Sequence, residues 1–154
     1  MIVMTRLIYG ALLLASLMGC SRLGIIDPAA DVVLRSGTSF GMCEGYCMTE
    51  LVVRDGSATF TRTSRWPSRY PPKKQSLSLT AAEYEALRAA ASSPNFPQLQ
   101  GVHGCPDCAD GGAEWVAIDG RVVTLDYGAD LEPIRALLHE VRALRARFEP
   151  QRWN

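Results

Sequence analysis

The chain has 154 residues, with 16 Lys and Arg against 16 Asp and Glu and a formal charge of zero. No bulk electrostatic pull toward nucleic acid or anionic lipid follows from that balance. Its apolar fraction of 47% is that of a globular protein of one domain, which excludes a disordered chain and one embedded in a membrane throughout.

Residues 1–19 carry one charge, Arg6, ahead of an apolar run from Leu7 to Met18 broken by Gly10 and Ser16. A bilayer-spanning helix needs about 20 consecutive apolar residues, and this run is little more than half that. A charged start, a short apolar middle and small residues at its end describe a secretory signal peptide. The segment closes with Leu17-Met18-Gly19-Cys20, which resembles the lipobox of bacterial lipoproteins. The resemblance implies cleavage before Cys20, lipidation of that cysteine, and the membrane as a partner through the anchor. Ser21, where inner-membrane retention usually shows Asp, implies the outer membrane, facing the periplasm. Two or three acyl chains, at about 0.8 kcal/mol per buried CH₂, anchor a protein firmly where one would bind reversibly. Loss of Arg6 leaves the mature chain one negative charge.

Residues 20–30 read as a lipidated linker and residues 31–149 as a single domain. Asp31–Arg35 is β-branched and predicts a first strand. Ser36–Cys47 holds Gly37, Gly41 and Gly45 at four-residue intervals, which predicts a loop of tight turns or positive φ. Met48–Arg54 and Ser57–Thr63 are strand-like runs flanking Asp55-Gly56, a strong signal for a hairpin with a type I′ turn. Ser64–Gln75 reads as a Pro-rich basic loop, and Ser76–Leu79 as a short returning strand.

Thr80-Ala81-Ala82-Glu83 is a capping box, predicting a helix to about Ala91 with Tyr84, Leu87 and Ala91 on one face. After a loop over residues 92–101, the Cys105–Gly112 segment leads to a second Asp-Gly hairpin, Glu114–Ile118 and Arg121–Asp126 around Asp119-Gly120. A final helix is predicted with Asp130 as its cap, Pro133 in the first turn, and Leu131, Ile134, Leu138, Val141, Leu144 and Phe148 as its apolar stripe. Arg142, Arg145 and Arg147 near its end complement the helix dipole. The expected fold is α+β, a largely antiparallel sheet built from two β-hairpins with two helices packed on one face.

With Cys20 lipidated, four cysteines remain: Cys43, Cys47, Cys105 and Cys108. An even set in an exported protein reads as disulfides. Pairing within each cluster closes tiny loops, while cross-pairing would close a long one and restrict the unfolded chain more; sequence leaves the connectivity open. The same four thiols could instead hold zinc, which takes tetrahedral sulfur from short paired spacings. Thiol redox chemistry is a further alternative, resting on Cys105-Pro106-Asp107-Cys108. Gly111 and Gly112 do not open the helix that lowers a thiolate pKa in thioredoxin-like sites.

His103, Asp107 and Asp110 share one loop and could ligate a metal, though acids beside glycines more often build turns. His139 lies beside the apolar stripe of the last helix and reads as a boundary residue. Arg62, Arg65, Trp66, Arg69, Tyr70, Lys73 and Lys74 interleave cations with aromatics. On a cytosolic protein such a segment would suggest nucleic acid; on an exported, lipid-anchored one an anionic envelope surface or another envelope protein is the expected target and nucleic acid is not.

Arg35, Phe40-Gly41-x-Cys43 and Tyr46 together resemble an uncharacterised bacterial family, the domain of unknown function numbered 6438, whose members are often exported. Its signature runs Arg, a few residues, Cys-Phe-Gly-x-Cys-Pro-x-Tyr, then a strand and a Gly-containing turn. Here Ser39 stands at the first cysteine, Glu44 at the proline, and Cys47 is added after the tyrosine. The resemblance implies a shared fold and assigns no activity. The expectation is a monomeric or weakly associating envelope lipoprotein, binding or structural in role, with no catalytic set.

Overall fold

A computed structural model describes residues 32–148. The expected signal segment, Cys20 and the expected linker lie outside the described residues, as do Asp31 and Glu149 of the expected domain.

Seven strands form one sheet in the order β4-β3-β2-β1-β6-β7-β5. They are β1 (Val32–Ser39), β2 (Met48–Arg54), β3 (Ser57–Thr63), β4 (Lys73–Ser78), β5 (Gly101–His103), β6 (Ala113–Ile118) and β7 (Arg121–Asp126). All neighbours are antiparallel except β5, which runs parallel to β7. Both expected hairpins are present. Asp55 and Gly56 have φ of 48° and 69°, and Asp119 and Gly120 have 49° and 76°, so both central residues of each turn are left-handed, as a type I′ turn requires.

The sheet is larger than two hairpins because β1 joins them. Arg35 pairs with Val52 of β2 on one side and Ala117 of β6 on the other. This strand runs four residues past the expected end, through Ser36–Ser39. Gly37 is therefore not a turn residue. A Cβ there would collide with the Trp115 indole and the Thr49 carbonyl, so glycine serves close cross-strand packing. At the far edge, β4 begins at Lys73, which moves Lys73 and Lys74 out of the basic loop and onto a strand.

Strand alternation puts Leu34, Leu51, Val53, Ala58, Phe60, Val116, Val123 and Leu125 into one buried cluster. Helix α1 (Ala81–Ala91) contributes Leu87 and Ala91 to it, and helix α2 (Arg135–Ala146) contributes Leu137, Leu138, Val141 and Leu144. Each leucine, valine or phenylalanine among them, fully buried, contributes about 1.5–3 kcal/mol. Phe148, just beyond α2, stacks on Phe60 with ring centroids 5.2 Å apart.

The capping box forms as its spacing demands. The Thr80 hydroxyl accepts from the Glu83 N–H, and the Glu83 carboxylate accepts from the Thr80 N–H at 2.7 Å. The start of α2 differs from expectation. Pro133 lies in a 3₁₀ turn, Glu132–Ile134, and the α-helix proper begins at Arg135 behind Ile134, which offers no side-chain cap. Asp130 is too far upstream to cap it, and its carboxylate accepts from Arg142 at 3.0 Å instead. The apolar stripe also includes Leu137.

Candidate functional site

One end of the sheet gathers the segments that carry the chemistry. The chain leaves β1 at Ser39, β3 at Thr63 and β5 at His103 on that end, because neighbouring antiparallel strands alternate direction. The three connections that follow, residues 40–47, 64–72 and 104–112, consequently lie beside one another.

The first of these, residues 40–47, is the hub. Cys43 is bonded to Cys47 and Cys105 to Cys108, with Cα separations of 5.6 and 5.5 Å. Each loop is thus stapled to itself, and of the connectivities left open by the sequence the within-cluster one is present. The staples differ in surroundings: Cys47 is 1% exposed, whereas Cys105 and Cys108 are both exposed. Phe40 N–H donates to the Cys47 carbonyl at 3.1 Å, closing the first loop across its base. Gly45, with φ of 94°, supplies its left-handed residue.

The third connection docks on the hub through polar and ring contacts. Asp107 accepts from the Gly41 N–H at 2.9 Å. The Phe40 ring lies where a side chain at Gly112 would stand, and meets Tyr127 edge-on at 4.9 Å. The second connection docks on the opposite side. Arg65 donates to the Gly41 carbonyl at 2.7 Å, Tyr46 to the Pro71 carbonyl at 2.9 Å, and Tyr70 to Glu44 at 3.1 Å. Arg69 pairs with Glu44 at 3.1 Å and lies over the Tyr70 ring. Desolvation, then the bond to Glu44, raises the Tyr70 pKa above the ordinary phenol value by disfavouring the phenolate.

Between the first and second connections runs an open groove of about 600 Å³ lined by Gly41, Met42, Cys43, Glu44, Arg65, Trp66, Ser68 and Arg69. Met42 and Trp66 are 81% and 51% exposed, an apolar pair with water on one side. Lys73 sits over the Tyr46 ring at 5.8 Å, and Lys74 is exposed on the edge strand. Arg62 turns away and lies over Phe60. Of the basic-aromatic segment, Arg65, Trp66 and Arg69 therefore line the groove, and Tyr70 braces it through Glu44. Met42 and Glu44 were not among the residues expected at a binding surface. A bulky apolar side chain between glycine and cysteine in a turn is the signal that could have marked Met42.

The other candidates separate. The His103 ring bonds to the Leu99 carbonyl at 2.6 Å, Asp107 is engaged with Gly41, and Asp110 is exposed. The side chain of His139 is 79% exposed on the outer face of α2. Among the described residues no three His, Cys, Asp or Glu side chains are grouped to hold a metal ion, and no helix is long and apolar enough to cross a membrane. No protein-family model matches the chain, and no curated protein matches it.

Proposed function

We propose that this chain is a lipid-anchored envelope lipoprotein whose domain binds an anionic envelope surface through the groove between residues 41–44 and 65–69. The carrying observation is the pairing of an exposed apolar couple, Met42 and Trp66, with Arg65 and Arg69 around one acid, Glu44. An amphipathic surface with aromatic and cationic side chains side by side suits a boundary where an apolar layer meets anionic headgroups. The signal segment and Leu17-Met18-Gly19-Cys20 support the anchor. A linker over residues 20–30 reaches at most about 40 Å when extended, which would hold the domain near the outer membrane on its periplasmic side.

The role is binding rather than catalysis. The resemblance of Arg35, Phe40-Gly41-x-Cys43 and Tyr46 to the domain of unknown function numbered 6438 supports reading the hub loop as the central feature of the domain. We infer further that both helices cover the same face of the sheet, leaving Arg35, Glu50, Val52, Thr59 and Trp115 on the open one.

The test is sedimentation with envelope fragments, using a Cys20→Ser form that lacks the anchor. Binding should weaken as salt rises, and neutralising Arg65, Arg69, Lys73 and Lys74 to Gln should abolish it. Sedimentation that survives those changes would leave the loop merely solvated. Zinc released on denaturation would return the four cysteines to a metal role.

A further inference from the structure

We infer that Cys105–Cys108 is a thiol-exchange site, opened by an external dithiol with neutral or cationic surroundings, while Cys43–Cys47 is a structural staple. The two disulfides differ in access. Cys105 and Cys108 are exposed and line a surface cavity of about 340 Å³ with Gly111, Gly112, Asp126 and Tyr127. In the other pair Cys47 is 1% exposed and Cys43 is half-buried at the wall of the groove, so at most one of its sulfurs is open to attack.

They differ also in what the backbone gives up to close them. The Cys43–Cys47 loop places its left-handed residue at Gly45, where that conformation carries no steric penalty. Inside the Cys105–Cys108 ring the left-handed residue is Asp107, which carries a side chain, and two more such residues follow it before Gly112. Asp107, Ala109 and Asp110 have φ of 63°, 51° and 61°. These are three of the five non-glycine residues with left-handed backbone among the described residues, and the other two sit in the type I′ turns. Ala109 has no polar side chain to offset the conformation. Opening the bond lifts the ring constraint on Asp107, and exposed or strained disulfides are the exchangeable ones.

The direction of exchange follows from the surroundings. Cys108 opens only a three-residue 3₁₀ turn, so no helix terminus stabilises a thiolate there. Asp107 and Asp110 flank the pair, and Asp126 accepts from the Cys105 N–H at 3.0 Å. This pair is therefore the one attacked. A thiolate of the external dithiol bonds to one sulfur, the Cys105–Cys108 bond breaks, and the departing sulfur takes up a proton. The second thiolate of the dithiol then resolves the mixed disulfide. Two electrons and two protons pass to Cys105 and Cys108, and the dithiol leaves as a disulfide. The carboxylates repel an anionic thiol and favour a cationic one.

The experiment is a dithiothreitol titration of the full chain in detergent under native conditions, followed by alkylation and peptide mass measurement. Cys105 and Cys108 should become alkylated at about tenfold lower dithiothreitol than Cys43 and Cys47, the equivalent of roughly 30 mV. Simultaneous opening, or earlier opening of Cys43–Cys47, overturns the assignment. In a second arm, cysteamine should open Cys105–Cys108 several-fold faster than 2-mercaptoethanesulfonate at low salt, the gap closing as salt rises. Equal rates at low salt overturn the class of reductant assigned. Neither arm depends on envelope binding.

Discussion

Glu114 on β6 and Arg145 on α2 meet at 3.0 Å with side chains 0% and 8% exposed. The second Glu114 oxygen accepts from Arg142 at 2.8 Å, and Arg145 also donates to the buried Ser36 hydroxyl on β1 at 2.9 Å. Burial works against the charge on Arg142, but the hydrogen bonds and charges of Glu114 and then Asp130 more than offset it, so its pKa is raised. A buried acid with two arginines thus pins α2 to the centre of the sheet. Removing the acid strands Arg145 without a counter-charge. Glu114→Ala should cost about 3–5 kcal/mol in chemical denaturation. Glu114→Leu combined with Arg145→Met should recover most of it, because no buried charge is then left alone: Arg142 keeps Asp130 and the Ala129 carbonyl, and the Ser36 hydroxyl is the group that loses its partner. A double variant as unstable as the single one would show that the charges themselves hold the helix.

Gly37 is the second structural commitment. Gly37→Ala should lower stability by about 1–3 kcal/mol, the cost of forcing a methyl into packed surroundings, because the Thr49 carbonyl and the Trp115 ring bound the space. A matching Trp115→Val change should relieve the part due to the ring and leave the part due to the carbonyl. Stability unchanged in Gly37→Ala would mean the strand can shift at no cost.

The capping box gives a pH dependence with a defined sign. The Thr80 N–H, then the Thr80 hydroxyl, hold the Glu83 pKa below its ordinary value. The carboxylate is favoured in the folded state, so its contribution is present above the unfolded-state pKa and is lost as pH falls through the lower folded one. Glu83→Gln should flatten that acid limb in denaturation curves taken from neutral to acid pH. Thr80→Ala should cost about 1 kcal/mol at neutral pH.

Replacing Cys43 and Cys47 together by Ala should destabilise the domain by about 2 kcal/mol, the loop-closure value for so short a loop. Unfolding of the double variant beside the oxidised parent measures this. A loss under ~0.5 kcal/mol would mean that the Phe40–Cys47 bond and the docked loops hold the hub without the staple.

Trp66→Ala and Met42→Ala should leave unfolding within ~0.5 kcal/mol, since both side chains are exposed. Each should nonetheless weaken envelope binding about fivefold, the loss of roughly 1 kcal/mol at an apolar anchor. Unchanged binding in both variants would move the contact surface away from the groove.

The parts of the fold legible in the sequence are those whose causes lie within a few residues. Asp55-Gly56 and Asp119-Gly120 dictate left-handed turns whatever surrounds them, and Thr80 and Glu83 are three apart, within reach of each other in any helix start. The missed pieces have distant causes. Gly37 read as a turn residue because its reason for being glycine, Trp115, is supplied by another strand. The short β5 and the early start of β4 depend on the ladders of β7 and β3 more than on their own residues.

The candidate site divides the same way. Sequence alone named the four cysteines and the basic-aromatic segment, since residue type and spacing carry that information. It could not bring Asp107 to Gly41 across 66 residues of chain, set Arg65 against the hub loop, or distinguish an arginine serving a helix dipole from Arg145 bonded to Glu114. Those pairings need side chains brought together by the strand order, in which β1 lies between the two hairpins. Local sterics and hydrogen bonding determined the two Asp-Gly turns, the first helix and the strands of the two hairpins. The placement of charges, glycines and disulfides relative to one another was decided only when the sheet closed around β1.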